Sequence, residues 1–181
     1  MPFWSDVDTQ PKLSFKWLAS FGTVRTAGHV GSNTINTYSL RTFQKPSFEI
    51  ATSEYIWLND VGYRPGVLSW NPIEITITDV ENDNENNTRK LYNILVESGY
   101  QNADVNKPQS VIEKQKASIA LGGQISLMQI DSEGRVIETW TLINPFIISV
   151  NFGQNNYAAE EILTISLNLR YDYAGYESQR R

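Results

Sequence analysis

The sequence contains no cysteine and a single histidine, His29. Without cysteine there can be no disulfide, no thiolate metal site and no cysteine nucleophile. A lone histidine in a glycine-rich segment is more typical of a surface residue than of a catalyst. Gly28 and Gly31 lack the spacing and the basic residue of a phosphate-binding loop. We therefore predict that the protein is not an enzyme and needs no cofactor.

The sequence also lacks long apolar runs and an excess of positive charge. No run approaches the roughly 20 apolar residues of a membrane span, and the opening stretch MPFWSDVDTQPK has no apolar signal-peptide core. We therefore expect a cytosolic protein with no membrane span. The formal net charge is −5, which argues against a protein that grips nucleic acid, because that task requires a concentrated cationic face. The length of 181 residues fits one domain.

What the sequence does contain is a repeated alternation of apolar and polar residues. From Glu161 to Tyr173 it runs without a slip, which is the period-2 pattern of a strand with one buried face. A second, longer strand is predicted from Thr139 to Phe152, after a tight turn at residues 131–134. The two predict an antiparallel meander with one core face and one polar face. The alternating apolar residues are Leu163, Ile165, Leu167, Leu169 and Tyr171 in the last strand, and Trp140, Leu142, Phe146, Ile148, Val150 and Phe152 in the longer one.

The first half of the chain predicts four more strands. In the third of them both parities are apolar, which indicates a strand that buries one face in the core and the other against another chain. In the fourth, Ile73, Ile75 and Ile77 oppose small polar and acidic residues. The predicted strands lie at residues 13–21, 34–43, 48–58 and 67–80, with a long hairpin tip at 59–66.

A helix is predicted from Arg89 to Tyr100, with Asn87 or Thr88 as its N-cap and Gly99 at its end. The segment 110–116 allows a second, shorter helix.

The acidic run at residues 79–87 superficially resembles a calcium-binding loop. However, Asn84 stands at the sixth position, where such a loop needs glycine, and Lys90 stands at the twelfth, where it needs glutamate. We therefore predict no metal site there.

Two further features bear on the strands of the second half of the chain and on the division of the chain into segments. Gly122-Gly123, inside a strand predicted to start at Ser118, indicates a bulge or the close approach of another backbone. Residues beyond Tyr173 are polar and are expected to fray. We predict a leader (residues 1–12), a single β domain (13–174) and a polar tail (175–181).

The order and pattern of these segments resemble the tail tube proteins of contractile-tailed bacteriophages, over residues 15–174. The most specific part is the end of the chain. It contains Trp140 followed by Asn144-Pro145, a Val-x-Phe-Gly step at 150–153, and a final L-x-L-x-Tyr-Asp-Tyr strand at 167–173. The same fold serves type VI secretion tubes and pyocin-like tubes.

The resemblance implies a mainly β fold, an antiparallel β-sandwich or half-barrel with one flanking α-helix. It also implies a structural virion protein. Rings of six copies would stack into the inner tail tube, with strands of all copies closing a continuous β-barrel through which phage DNA reaches the host.

The implied partners are further copies of the chain, a sheath protein outside the tube, and a tape measure protein and DNA in the lumen. Baseplate and terminator proteins would bind at the ends. The implied location is the virion tail, assembled in the cytoplasm of the host bacterium.

Site residues are predicted by position alone. The polar faces of the long strands would line the lumen and repel DNA phosphates, and the hairpin tip would contact the next ring. The lumen-facing candidates are Glu74, Thr76, Thr78, Gln124, Ser126, Thr139 and Thr141, and the ring-stacking candidates are Asn59, Asp60, Tyr63 and Arg64.

Two other hypotheses stay open. A baseplate tube-initiator or a tube-terminator protein would have the same fold, and copy number would separate it from the main tube subunit. A carbohydrate-binding β-sandwich, from a different class, would stack Trp57, Trp70 or Tyr63 on sugar rings and would be a monomer.

Overall fold

The computed structural model of the chain describes residues 12–22, 35, 37–82, 86–100, 111–157 and 160–178. Several predictions lie outside these ranges. They are those for the leader up to residue 11, the glycine-rich segment around His29, residues 83–85 of the acidic run, and residues 179–181.

Strands dominate the described part of the chain, and the predicted mainly β, antiparallel fold class is confirmed, with two α-helices in place of one. Of the described helices, neither is long and apolar enough to cross a membrane. In chain order the elements are β1 (Trp17–Phe21), a 3₁₀ turn (Thr37–Ser39), β2 (Leu40–Phe43), β3 (Phe48–Trp57), β4 (Asp60–Trp70), β5 (Ile73–Thr78), α1 (Asn87–Glu97), α2 (Lys114–Ala120), β6 (Gln124–Ile130), β7 (Val136–Ile143), β8 (Phe146–Asn151), β9 (Thr164–Arg170) and β10 (Tyr173–Ser178).

Eight of the strands form two antiparallel sheets that share one apolar core. Sheet 1 has the order β1-β6-β7-β10, and sheet 2 has the order β2-β5-β9-β8. Because their inner faces meet in one cluster, their outer faces point in opposite directions, as in a β-sandwich. The core contains Phe21, Ile125 and Leu142 from sheet 1, Ile73, Ile75, Ile77, Ile165, Leu167 and Leu169 from sheet 2, and Leu91 and Ile94 from α1.

The alternation predicted for the last strand is confirmed in β9. The prediction of one longer strand upstream is wrong, because this segment forms two strands, β7 in sheet 1 and β8 in sheet 2. Between them Asn144 has a φ of 51° and Pro145, which has no N–H to give to a ladder, is buried. A register shift after Ile147 then exposes half of Ile148, which the alternation had assigned to the core.

The strands β3 and β4 form a two-stranded hairpin, residues 48–70, which belongs to neither sheet. We call it the arm. The prediction that residues 48–58 bury one face in the core is wrong, because every residue of β3 is exposed. The chain reverses at Leu58, whose φ is 55°, and Asn59.

The predicted boundaries after this turn also need correction. Most of the tip predicted at 59–66 is strand, so the two strands of the arm are nearly equal in length. The strand predicted at 67–80 breaks at Asn71-Pro72 into β4 and β5. In β5 the predicted alternation is confirmed, with Ile73, Ile75 and Ile77 buried.

Helix α1 begins two residues before the predicted start. Asn86 is its N-cap, since its Oδ1 accepts the Arg89 N–H at 2.8 Å. Asp79, the first acid of the acidic run, acts as a second cap: Oδ1 accepts the Asn87 N–H at 3.0 Å and Oδ2 accepts the Thr88 hydroxyl at 2.7 Å. A carboxylate at a helix N-terminus also interacts favourably with the helix dipole. Asp79 therefore stabilises the helix start.

Gly99 has the positive φ, 107°, of a helix terminator, as predicted, but α1 ends at Glu97 and not at Tyr100. The second helix lies at Lys114–Ala120, later than predicted, so the strand expected from Ser118 starts only at Gln124.

The predicted close approach at Gly122-Gly123 is confirmed, although the pair lies in the turn before β6 and not inside a strand. Gly122 has a φ of 94°, and a Cβ there would lie 1.6 Å from the backbone oxygen of Gly22. The Gly22 N–H donates to the Gln124 carbonyl at 2.8 Å. Because Gly22 and Gly122 have no side chains, the backbone after β1 and the backbone of the α2–β6 turn can come into direct contact.

The expectation that the chain frays beyond Tyr173 is wrong as far as Ser178. Residues 173–178 form β10, which pairs with β7 from Tyr173↔Ile143 to Ser178↔Glu138. Sheet 1 therefore ends in a strand that the sequence pattern does not reveal.

We predict that G122A destabilises the protein far more than G134A. Both glycines have positive φ, but Gly134, at 80°, has no atom within 4 Å of the added Cβ. G134A should cost about 1 kcal/mol of unfolding free energy, from backbone strain alone. G122A should cost more than about 2 kcal/mol, because the clash adds to the strain. Urea unfolding of both variants measures the difference, and equal losses would contradict the close approach.

Candidate assembly surfaces

The outer face of sheet 1 carries almost no charge. Its side chains are small, polar or moderately apolar, and Glu177 is the single charged one within the four described strands. No lysine or arginine lies on this face within those strands. The outward residues are Leu18, Ser20, Gln124, Ser126, Met128, Ile130, Ile137, Thr139, Thr141, Ile143, Tyr173, Gly175 and Glu177.

The structure brings four of the seven lumen candidates together and separates the other three. Ser126 is paired with Thr141 across β6 and β7, with Gln124 and Thr139 beside them on the same outer face of sheet 1. Glu74, Thr76 and Thr78 lie on the outer face of sheet 2, opposite polar residues of β9. Because these two faces point in opposite directions, the two groups cannot line the same lumen.

Both edges of sheet 1 are open among the described residues, since β1 and β10 each pair on one side only. Neither edge strand contains lysine, arginine or proline, the residues with which proteins usually protect an edge. The Gly22 N–H donates to the Gln124 carbonyl, and the Ile130 N–H donates to the Lys16 carbonyl. The backbone groups of every second residue along β1 therefore point toward β6. The backbone groups of Trp17, Ala19 and Phe21 therefore point to the open edge.

The arm is the most apolar exposed part of the described chain. Trp57, Tyr63 and Leu58 expose 73%, 66% and 87% of their surface. The four ring-stacking candidates all lie on it, Asn59 and Asp60 at the turn and Tyr63 and Arg64 on β4. An isolated hairpin of this kind is marginally stable in water, so a contact on the arm would stabilise it.

The two faces of the outer part of the arm differ. On one face the Tyr55 ring lies over Gly62, where it occupies the place of a Cβ, and the Arg64 guanidinium lies 4.7 Å from the ring centroid. This cation–π contact covers part of the Tyr55 ring from within the chain. On the other face Ile56, Val61 and Tyr63 are exposed. Trp57 is also exposed on the first face, so both faces of the outer part of the arm offer apolar surface to another chain.

The three aromatic residues of the sugar-binding hypothesis lie in different places. Trp57 pairs with Asp60 and Tyr63 pairs with Glu54, and the alternation along the hairpin places these two rings on opposite faces. Trp70 is half-buried, with its ring centroid 6.1 Å from that of Tyr171. The three aromatic residues therefore form no common platform for a sugar.

A buried ion pair lies on the inner side of sheet 1. The side chain of Glu138 is 6% exposed, and its carboxylate accepts hydrogen bonds from the Nζ atoms of both Lys12 and Lys45. Burial works to raise the pKa of Glu138, but the hydrogen bonds and charges of the two lysines outweigh it and lower the pKa below its usual 4.5. The ionised form is therefore the stable one in the folded protein.

Sequence reasoning missed this pair and the open edge at β10. Glu138 departs from the alternation, because it is an acid at the apolar parity of Trp140 and Leu142, and that departure was the available signal. Its two partners come from segments without periodicity, 126 and 93 residues away in sequence. Only the folded chain brings them together.

Among the described residues, no three His, Asp or Glu side chains gather in an arrangement that could hold a metal ion.

Comparison with known proteins finds similarity in structure but not in sequence. No model of a known protein family matches the chain, and no curated protein sequence matches it.

Among solved structures, the tube-terminating cap of the anti-feeding prophage matches with a TM-score of 0.65 and 14% identity, over 99% of this chain and 100% of that one. The sheath/tube terminator of an extracellular contractile injection system, PVC, matches with a TM-score of 0.63 and 14% identity, over 93% and 98%. A chain of the sheath–tube complex of the same system matches with a TM-score of 0.59 and 15% identity, over 93% of each chain.

These similarities cover nearly the whole of each chain. Because the sequence identity is so low, they establish the fold alone. The protein has the fold of tube-type components of contractile systems, as the resemblance in its sequence predicted.

We predict a specific pH dependence from Glu138. Because its pKa is lowered by folding, the ionised carboxylate stabilises the folded state fully above pH 4.5, and this contribution is lost as the pH falls. E138Q should therefore lower the unfolding free energy at pH 7 by about 1 to 3 kcal/mol and flatten its decline below pH 4.5.

The matched control is D172N. Asp172 also has a lowered pKa, through hydrogen bonds from Lys114 and Asn144, but its side chain is 35% exposed, so solvent screens the pair. Urea unfolding between pH 3 and pH 7 checks both variants. A decline in E138Q as steep as in the parent protein would contradict the assignment.

Proposed function

We propose that the protein is a structural subunit of a contractile tail or injection particle. Six copies form a ring, and the rings stack into the inner tube. The observation that carries the proposal is sheet 1: within its four described strands, the edge strands have no lysine, arginine or proline and the outer face has no lysine or arginine. The fold shared with tube-terminating and sheath–tube chains supports it.

The strand directions of sheet 1 allow closure into a ring. Each neighbouring pair of its four strands is antiparallel, so β1 and β10 run in opposite directions. When copies are placed side by side by rotation, β10 of one copy meets β1 of the next, and this contact is again antiparallel. The ladder can therefore continue around the ring, and full closure removes every edge of the sheet.

The outer face of sheet 1 would then line the lumen, with Gln124, Ser126, Thr139 and Thr141 among its residues. Glu74, Thr76 and Thr78 would lie on the outside of the ring. Such a bore is nearly neutral and mixes polar with apolar side chains, with one carboxylate from Glu177 of each copy. DNA would meet no cation to hold its phosphates, and a weak negative potential would keep it from binding.

The arm would make the contacts between rings. Asn59 lies in the turn at the tip, and Asp60, Tyr63 and Arg64 follow it on β4. Two strands of about ten residues extend roughly 30 Å, enough to cross from one ring to a subunit of the next. The wider set of partners would be a sheath protein, a tape measure protein, and baseplate and terminator proteins, in a particle assembled in the host cytoplasm.

A second candidate is a tube terminator. It is favoured by the match to a tube-terminating cap over the whole length of both chains. A terminator would close into the same ring through sheet 1, but rings of it would stop a tube and would not stack further.

The test is the assembly state of the purified chain, by negative-stain microscopy and sedimentation velocity. We expect six-membered rings with an open centre. Rods support the tube subunit, and single rings that do not stack support the terminator. A monomer at every concentration tested would exclude both.

We also predict that S20K prevents ring formation. Ser20 is exposed on the outer face of the edge strand β1, and a lysine there gives the edge the protection it lacks. T42K is the matched control, because Thr42 is exposed on the edge strand β2 of sheet 2, which the proposed ring leaves unpaired. Sedimentation should find S20K folded and monomeric and T42K in rings. Normal rings from S20K would show that β1 is not at the junction.

A further inference from the structure

The arm is attached to the body at its base, and the first attachment is to sheet 2. Phe48 and Trp70 close the base with their ring centroids 5.5 Å apart, and Trp70 continues onto Tyr171, directly after β9. The Asn71 N–H donates to the Ser47 carbonyl at 2.9 Å and holds the two chain ends of the arm together.

These base contacts lead to sheet 2, and so do the two hydrogen bonds between Gln44 of the link and Glu74 of β5. The link from β2 to the arm, residues 44–47, has no regular structure, and no residue of β3 is buried. A small rotation of the arm about the contact between Trp70 and Tyr171 would displace the tip by a large distance, because the tip lies roughly 30 Å from the base. A second fixed point is needed to set the arm's direction.

The ion pair of Glu138 supplies a second point, on the other sheet. Lys45 lies in the link, three residues before β3, and its Nζ donates to the Glu138 carboxylate of β7. The carboxylate is nearly buried, so the contact is screened less by solvent than a surface pair. Lys12, from the segment before β1, donates to the other oxygen of the same carboxylate.

We infer that Glu138 is a positioning residue for the arm: by holding Lys45 it fixes the direction of the arm relative to sheet 1. Lys12 binds the same carboxylate but does not belong to the arm. Removal of Lys45 should therefore loosen the arm, while removal of Lys12 should leave its direction unchanged. The consequence for assembly rests on the proposed function, since rings bounded by sheet 1 would stack through the arm.

The inference can be tested on the single chain by electron–electron spin distance measurement. The protein has no cysteine, so N59C and Q124C place one label on the tip of the arm and one on sheet 1 without further changes. Unlabelled protein is added in excess to suppress distances between copies. The parent should give one narrow distribution of distances.

In this labelled protein E138Q and K45Q should widen the distribution at least twofold, and K12Q should not. K12Q is the matched control, because it removes the same charge from the same carboxylate. An unchanged width in K45Q, or equal widening in K12Q and K45Q, would overturn the inference. Lys45 is about half exposed, so K45Q decides the question even where E138Q fails to fold.

Assembly gives a second measurement that a general loss of stability would not reproduce. K45Q should form rings as readily as the parent but should stack them at least tenfold less, whereas a merely destabilised chain would lose rings and stacks together. Loss of rings in K45Q would overturn the inference. Where the parent itself forms no rings, the proposed function fails, and the distance measurement still decides the role of Glu138.

Discussion

One apolar cluster shared by two amphipathic sheets sets the rest of this structure. Ile75 and Leu167 of sheet 2 and Ile125 and Leu142 of sheet 1 are fully buried in it, so each sheet buries its more apolar face against the other. The outer faces must then point in opposite directions, so the polar residues of the two sheets lie on opposite surfaces of the protein. This constraint is why seven lumen candidates with the same alternation divide into two groups.

Apart from Trp70 at its base, the arm lies outside this core. Its strands gain stability from backbone pairing and from local contacts such as Tyr55 with Gly62 and Arg64, and its apolar residues keep much of their surface in water. Exposed apolar patches on this scale mark contact sites. The attachment at its base therefore has two tasks, to hold the hairpin and to direct it.

Sequence pattern predicted those parts of the fold that one buried face determines. In β5 and β9 the alternation of Ile73 to Ile77 and of Ile165 to Leu169 survives intact, because each strand has a core on one side only. The pattern failed where the chain changes sheet at Asn144-Pro145, since apolar residues continue on both sides of the turn. It also failed for β10, whose partner strand β7 holds it by backbone pairing with few buried side chains. The pairing of Glu138 with two distant lysines left no local signal.

The edge strand β8 of sheet 2 carries no lysine, arginine or proline either, but the edge strands β1 and β2 of the two sheets differ, and a ring accounts for that difference. In the ring that we propose, sheet 1 lies at the smaller radius and can close on itself, while the strands of sheet 2 lie at a larger radius and are spread apart. The edges of sheet 2 then stay without partners from neighbouring copies. Its edge strand β2 has four residues, one of them Arg41, and short length and charge are both protections of an exposed edge. The strand β1 carries no charge, which is what an edge requires when another copy must pair with it.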